Sequence, residues 1–170
     1  MIIFVRHGTT QYNENGWIQG LADAPLTKKG LDEAQSAALK LKDTHIDKIY
    51  ASPLIRAYKT AEIINQYHDL EIIKEPRLLE FDVGPYSGTK LSDYDKATIE
   101  DFWKHPEKHG AQSNEDFKQK VLSFFKSVEN TNENILIVSH GGVYRLINQY
   151  LTGVFDLGTI KNCEPIVIKE

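Results

Sequence analysis

The sequence predicts an α/β fold, a three-layer α/β/α sandwich with a mainly parallel central sheet. Two apolar runs, residues 1–5 and 134–139, lack the polar alternation of a half-exposed strand and are typical of strands buried on both faces. Segments with helical spacing of apolar residues separate the predicted strands. Strands that alternate with helices in this way favour parallel pairing, with helices on both sides of the sheet.

Three shorter segments, residues 47–51, 71–73 and 165–168, supply the remaining predicted strands. Thr27 is the predicted N-cap of a helix that extends to about residue 42, and Ser113 precedes a second helix with apolar residues at helical spacing. Ser52 followed by proline predicts a third helix start, because proline is favoured at the first helical position. Gly141 opens a fourth helix, which extends to about residue 151.

Residues 81–114 interrupt the alternation of strands and helices, since glycines and prolines break the segment. Only residues 92–104 are predicted to be helical, with Ser92 and Asp95 spaced as a capping box. We interpret this segment as a rim or lid inserted over one end of the sheet, within a single domain formed by residues 1–170. Ligands bind open α/β sheets at the carboxyl ends of the strands, so this segment is a candidate specificity element.

Composition excludes several classes of protein. The chain has 170 residues, 41% of them hydrophobic, a net charge of −4 and no lysine-rich run, so neither nucleic acid nor an anionic membrane is an expected partner. The apolar stretch at the N-terminus is too short for a signal peptide core or a membrane span. Cys163 is the only cysteine and cannot form an internal disulfide, which favours a reducing compartment and a cytoplasmic location.

Three predicted strands end in polar residues that can perform chemistry. Arg6 and His7 follow the first strand, Ser52 and Arg56 follow the second, and His140 follows the strand at 134–139. If the strands are parallel, these residues meet at one edge of the sheet, together with the N-termini of two helices. Each piece alone also fits a structural role as a loop residue, a turn or a helix cap. Taken together, two imidazoles, guanidinium groups and helix N-termini describe an anion site.

Motifs spread over residues 1–142 support this interpretation. In chain order they are Arg6-His7-Gly8 with Asn13, Gln19-Gly20 with Pro25-Leu26-Thr27 and Gly30, Ser52-Pro53-Leu54-Ile55-Arg56-Ala57 with Thr60-Ala61, Arg77-Leu78 with Glu80, and Ser139-His140-Gly141-Gly142. They resemble the motifs of the histidine phosphatase superfamily, in its phosphoglycerate-mutase-like branch, and occur in that family's order. The resemblance implies a phosphoglycerate-mutase-like fold and a phosphatase that needs no metal or other cofactor.

The resemblance also implies a role for each matching residue. His7 is the expected nucleophile and becomes a phosphohistidine, and Glu80 is the expected proton donor to the leaving group. Arg6, Arg56 and His140 are expected to bind the oxygens of the transferred phosphoryl group. Further hydrogen bonds to phosphate or substrate are expected from four residues, Asn13, Gln19, Gly20 and Gly141.

The chemistry of phosphoryl transfer is consistent with this set of residues. Two guanidinium groups and an imidazolium stabilise the negative charge on three equatorial oxygens without a metal. His7 must attack as a neutral imidazole, a form that neighbouring arginines favour. The negative charge of a bound phosphate favours a protonated carboxyl at Glu80, which then serves as the acid.

Departures from the family pattern bear on the substrate. Phosphoglycerate mutases are longer and carry a glutamate-arginine-histidine-tyrosine block where this chain has Glu80-Phe81-Asp82-Val83. Hydrolysis of a small phosphorylated metabolite is therefore favoured over mutase activity. A phosphoprotein phosphatase, acting for example on phosphohistidine, and a catalytically silent phosphate-binding module remain alternatives. The sequence does not fix the oligomeric state, and a homodimer stays open.

Overall fold

The computed structural model describes residues 1–154 and 160–170, and the sheet in this part of the chain has five strands in the order β3-β2-β4-β1-β5. The strands are β1 (Ile2–Arg6), β2 (Lys48–Ala51), β3 (Ile72–Lys74), β4 (Ile135–Ser139) and β5 (Ile166–Lys169). Neighbouring strands from β3 to β1 pair in parallel, and only β5, at the edge, is antiparallel to its neighbour. The predicted mainly parallel sheet is confirmed, with each strand within about one residue of its predicted position.

Six α-helices lie in the described ranges of the chain: α1 (Gln11–Asn15), α2 (Lys28–Leu41), α3 (Ile55–Asn65), α4 (Lys96–Lys104), α5 (Asn114–Val128) and α6 (Gly141–Thr152). Alternate residues of β1 face two separate cores. Ile3 and Val5 pack in one core with alanines of α2 and α3, whereas Ile2 and Phe4 pack in the other with α5 and α6. Helices therefore cover both faces, which confirms the three-layer sandwich.

Two predicted N-caps are confirmed. The side chain of Thr27 accepts a hydrogen bond from the amide of Gly30, and that of Ser113 accepts one from the amide of Asp116. These contacts satisfy amides that have no partner inside the helix.

Two other predicted helix starts are wrong. The helix expected at Ser52 begins at Ile55, because the Ser52 side chain is bonded to His140, and the Ile55 amide donates to the Asp23 carboxylate instead. In the 92–104 segment the α-helix begins only after Asp95, whose carboxylate accepts from the amide of Thr98. Ser92 lies before it, in a short 3₁₀ turn, and takes no part in that cap.

Residues 81–114 form α4 and short 3₁₀ turns around a cluster of aromatic rings. Tyr86 packs against Phe102 with ring centroids 4.4 Å apart and the ring planes tilted by 45°, and its hydroxyl is hydrogen-bonded to Nδ1 of His109 over 3.1 Å. Phe81 packs against Trp103 and Phe117, the latter on α5. These rings hold the segment together and attach it to the sandwich. Within the described residues, no helix is both long and apolar enough to cross a bilayer.

Candidate active site

Strand register brings the two histidines of the predicted site together. Arg6 at the end of β1 pairs with Ser139 at the end of β4, and the His7 amide donates to the Ser139 carbonyl over 2.9 Å. The next residues, His7 and His140, therefore leave the sheet side by side. Their ring centroids lie 5.2 Å apart, and both side chains are almost wholly buried.

The tautomer of His7 follows from its hydrogen bond. Nδ1 lies 2.8 Å from the carbonyl oxygen of Gly8, which can only accept, so Nδ1 carries a proton. In the neutral ring, Nε2 then holds the free lone pair that a nucleophile requires. Burial lowers the pKa of His7 well below its usual 6.5, and the charges of Arg56 and Arg6 lower it further. At neutral pH His7 is thus the neutral imidazole that the sequence predicts.

Arg56 is held by the loop that follows α1. Its NH1 donates to the Ala22 carbonyl over 2.8 Å and its NH2 to the Gly20 carbonyl over 2.7 Å, with a carboxylate oxygen of Asp23 3.7 Å from NH1. Burial lowers the pKa of Arg56 to about 10, which leaves it a cation at neutral pH. Its Nε atom is buried and has no hydrogen-bond partner among the described residues.

Arg6 repeats this arrangement. Its NH1 donates to the Ile160 carbonyl over 2.7 Å, while Nε is buried and unpartnered within the described part of the chain. Gly141 lies beside it, since a Cβ at that position would sit 3.9 Å from Arg6 Nε. The two guanidinium groups are therefore fixed by backbone carbonyls, and the buried Nε–H of each stays available for another acceptor.

His140 is fully buried, and its Nε2 lies 2.7 Å from the Ser52 hydroxyl. Nδ1 has no partner among the residues that the structure describes. Burial lowers the pKa of His140 well below 6.5, with further lowering by Arg56, His7 and Arg6. The imidazolium expected at this position is thus corrected to a neutral imidazole at neutral pH, because the sequence showed the neighbouring charges but not the depth of burial.

Glu80 lies at the N-terminus of α6. Its Oε2 accepts a hydrogen bond from the Gly142 amide over 3.2 Å, and its Oε1 accepts one from the Phe81 amide over 3.0 Å. The carboxylate is half-buried, and its negative charge raises the pKa values of both Arg6 and Arg56, in opposition to the larger effect of burial. The carboxylate expected as proton donor therefore lies close to both guanidinium groups.

The predicted substrate-binding residues Asn13, Gln19 and Gly20 are already engaged with the protein. Asn13 Oδ1 accepts from the amide and hydroxyl of Thr10. Gln19 Oε1 lies 3.0 Å from the same hydroxyl, and Gln19 Nε2 donates to the Ala22 carbonyl over 3.2 Å. Gly20 contributes its carbonyl to Arg56. The side-chain amide nitrogens of Asn13 and Gln19 still have hydrogens that a ligand could accept.

Two further residues, Thr60 and Asn162, support the site without having been predicted to do so from the sequence. The Thr60 hydroxyl accepts from the Gly8 amide over 3.0 Å and donates to the Arg56 carbonyl over 2.7 Å. Its spacing of four residues from Arg56 on a helix could have indicated a shared face. Asn162 donates to the His7 carbonyl over 2.6 Å from the chain segment before β5, where no periodicity identifies it.

The arrangement can bind a tetrahedral anion beside a nucleophilic nitrogen. Buried nitrogens of Arg6, Arg56 and His140 that have no partner among the described residues lie close to the neutral ring of His7, and the carboxylate of Glu80 lies near both arginines. Among the described residues, no group of three or more histidine, cysteine, aspartate or glutamate side chains is placed to hold a metal ion. Guanidinium groups held in place by backbone carbonyls can stabilise the negative charge of a phosphoryl group bound here, as phosphoryl transfer requires.

Comparison with known proteins agrees with the geometry. A family model, the histidine phosphatase superfamily (branch 1), matches residues 2–164. Phosphoserine phosphatase 1 of Hydrogenobacter thermophilus is 35% identical over 161 residues, which cover 90% of this chain and 76% of that protein. The adenosylcobalamin/alpha-ribazole phosphatase of Escherichia coli (strain K12) is 30% identical over 158 residues, which cover 88% of this chain and 78% of that protein.

Solved structures show the same fold. The crystal structure of phosphoglycerate mutase from Bacillus anthracis superposes with a TM-score of 0.81 at 27% identity, covering 95% of this chain and 83% of the other. Bacillus stearothermophilus YhfR superposes with a TM-score of 0.80 at 28% identity, covering 90% and 80% respectively.

Proposed function

The chain belongs to the histidine phosphatase superfamily (branch 1), and from this premise we propose that it hydrolyses phosphomonoesters through a phosphohistidine intermediate on His7. The observation that carries the proposal is that three buried nitrogens close to His7, Nε of Arg6, Nε of Arg56 and Nδ1 of His140, have no hydrogen-bond partner among the described residues. A buried polar atom without a partner is costly, and the oxygens of a phosphoryl group would accept from both arginines and from His140 when its Nδ1 is protonated.

In the first step, Nε2 of His7 attacks phosphorus and the bond from phosphorus to the ester oxygen breaks. The Glu80 carboxyl gives its proton to that oxygen, which leaves as an alcohol. The proton stays on His7 Nδ1 and its hydrogen bond to the Gly8 carbonyl is kept, so the phosphorylated ring keeps its orientation. Arg6, Arg56 and His140 donate to the three oxygens on which charge accumulates.

In the second step, the Glu80 carboxylate removes a proton from water while the water oxygen attacks phosphorus. The bond between phosphorus and Nε2 breaks, which restores the neutral His7 ring and the protonated Glu80 and releases inorganic phosphate. One residue serves as acid and then as base, so the cycle closes without a metal or another cofactor.

We propose a small phosphorylated metabolite as the substrate. Two similar proteins are named as phosphatases of small molecules, phosphoserine and alpha-ribazole derivatives. The position after the proton donor, where mutases of the family carry an arginine, holds Phe81, which is 7% exposed and packs on Phe117. It offers no cation to hold a second phosphate, which supports hydrolysis over mutase activity.

The test combines trapping with substitution of the nucleophile. Incubation with a radiolabelled phosphomonoester followed by rapid quenching at alkaline pH is expected to leave acid-labile label on His7. A His7→Ala variant is expected to lose the label and to retain less than about a hundredth of the wild-type rate, because loss of a nucleophile normally costs far more. Label on another residue, or a higher residual rate, contradicts the mechanism.

A substrate comparison separates the alternatives. Turnover of para-nitrophenyl phosphate and a panel of phosphorylated metabolites should exceed turnover of a phosphohistidine-containing protein. The reverse order favours a phosphoprotein phosphatase. Binding of phosphate without any turnover favours an interaction module.

A further inference from the structure

Ser52 makes a contact that its sequence motif does not predict. Its hydroxyl oxygen lies 2.7 Å from Nε2 of His140, and both side chains are fully buried. The backbone of Ser52 is fixed by the sheet, because its amide donates to the Val138 carbonyl over 3.0 Å. The position of the hydroxyl relative to the ring is thus set by the pairing of β2 with β4.

The direction of this hydrogen bond follows from the partners available. The only other hydrogen bond of the Ser52 hydroxyl within the described residues comes from the Leu54 amide, at 3.4 Å, and an amide can only donate. The hydroxyl proton therefore has His140 Nε2 as its acceptor. A buried hydroxyl proton aimed elsewhere would have no partner, which is unfavourable.

This direction fixes the tautomer of the neutral ring. When Nε2 accepts, the single proton of a neutral imidazole resides on Nδ1. Nδ1 is the atom of His140 that is buried and lacks a partner in the described part of the structure. The ring therefore presents an N–H group, and not a lone pair, for an acceptor that none of the described residues supplies.

We propose that Ser52 is a positioning residue that holds His140 in the Nδ1–H tautomer, so that a neutral imidazole donates a hydrogen bond to the phosphoryl group. The inference rests on the proposed function for the identity of the acceptor. Without the Ser52 hydroxyl, the neutral ring is free to adopt the Nε2–H form that histidine favours in water. Its Nδ1 lone pair would then face the phosphoryl oxygens, and only protonation of the ring would restore the donor.

The first experiment reads the tautomer directly and does not depend on activity. Long-range ¹H–¹⁵N correlation spectra at pH 7.5 distinguish protonated from bare ring nitrogens, and His140→Asn identifies the signals of His140 by their loss. We expect bare Nε2 and protonated Nδ1 in the wild type and in Ser52→Thr, which keeps the hydroxyl. We expect a shift towards protonated Nε2 in Ser52→Ala. Protonated Nε2 in the wild type, or an unchanged tautomer in Ser52→Ala, overturns the proposal.

The second experiment measures the affinity for inorganic phosphate by titration calorimetry at pH 5.5 and pH 8. At pH 8, Ser52→Ala is expected to bind phosphate about tenfold more weakly than the wild type, as for the loss of one hydrogen bond to a charged group. At pH 5.5 the loss of affinity should be clearly smaller, because the His140 ring can be protonated on binding. An equal loss at both values indicates a structural defect and overturns the positioning role. A wild type that shows the expected tautomer and binds phosphate without turnover contradicts the proposed function alone.

Discussion

The amide of Gly142 donates a hydrogen bond to Oε2 of Glu80 over 3.2 Å, so the first turn of α6 holds the carboxylate that we propose as proton donor. This approach requires glycine, because a Cβ at position 142 would overlap Glu80 Oε1. The helix N-terminus therefore sets the position of the acid as well as that of His140, which immediately precedes it.

Gly142→Ala is expected to displace Glu80 and to lower kcat by about a hundredfold, as for a misplacement of about 1 Å in an active site. Steady-state kinetics with para-nitrophenyl phosphate measures this loss. The matched control is the double variant with Glu80→Gln, in which the same glycine substitution should have little further effect. If the two substitutions instead lower kcat by factors that multiply in the double variant, they act independently, which contradicts the proposed link between Gly142 and Glu80.

Thr60→Val is expected to lower the free energy of unfolding by about 1–3 kcal/mol, because it leaves the buried Gly8 amide without an acceptor. Valine is close to threonine in shape, so the change removes the hydroxyl with little loss of packing. Urea denaturation measures the loss, and Thr60→Ser, which keeps the hydroxyl, is the control. A smaller loss in Thr60→Val than in Thr60→Ser would show that the methyl group matters more than the hydrogen bonds.

The stability of the protein is expected to fall as the pH falls below 6.5. Burial lowers the pKa of His7 and of His140 well below that value in the folded protein, whereas the unfolded chain titrates near it. Below pH 6.5 the unfolded chain binds protons that the folded protein excludes, so each histidine lowers the unfolding free energy by up to about 1.4 kcal/mol per pH unit. The stability that comes from keeping the two histidines neutral and buried is fully present above pH 6.5 and is lost as the pH falls below that value.

Urea denaturation between pH 8 and pH 5.5 tests this pH dependence. His140→Asn should make the unfolding free energy depend less steeply on pH, because asparagine does not titrate and only the contribution of His7 remains. If the unfolding free energy depends on pH equally in the wild type and in this variant, His140 has the same pKa in the folded protein as in the unfolded chain, which would contradict the prediction. If the unfolding free energy changes with pH while the denaturant m-value hardly changes, the folded state stays compact over this pH range.

Activity is expected to be insensitive to chelators. In the proposed mechanism, Arg6, Arg56 and the Nδ1–H of His140 stabilise the negative charge of the phosphoryl group, so that no metal ion is needed. Dialysis against EDTA followed by assay in chelator should leave the rate unchanged. Loss of activity that Mg²⁺ or Zn²⁺ restores would contradict the proposed catalysis.

The meeting of the two histidines could be predicted because it depends on regular structure. Parallel strands end at one edge of a sheet, and the pairing of Arg6 with Ser139 places the next residue of each strand in contact. The apolar runs 1–5 and 134–139 carry that information in the sequence itself. The same holds for Thr27 and Ser113, whose capping role depends only on residues three positions later.

The sequence was less informative where a tertiary contact overrides a local preference. Ser52 before a proline has the local signature of a helix cap, but its hydroxyl is bonded to His140, which is distant along the chain. Similarly, no spacing rule connects Glu80 with Gly142 or Asn162 with His7. The protonation state of His140 depends on burial, which the pattern of charges in the sequence does not reveal.

The two residues at the start of the site, Arg6 and His7, are held by residues 160–163 through Ile160, Asn162 and Cys163. A ribosome therefore releases His7 long before the residues that hold it, since Asn162 follows 155 positions later. On the proposed chemistry, competence to attack phosphate esters therefore has to wait until residues 160–163 have been synthesised.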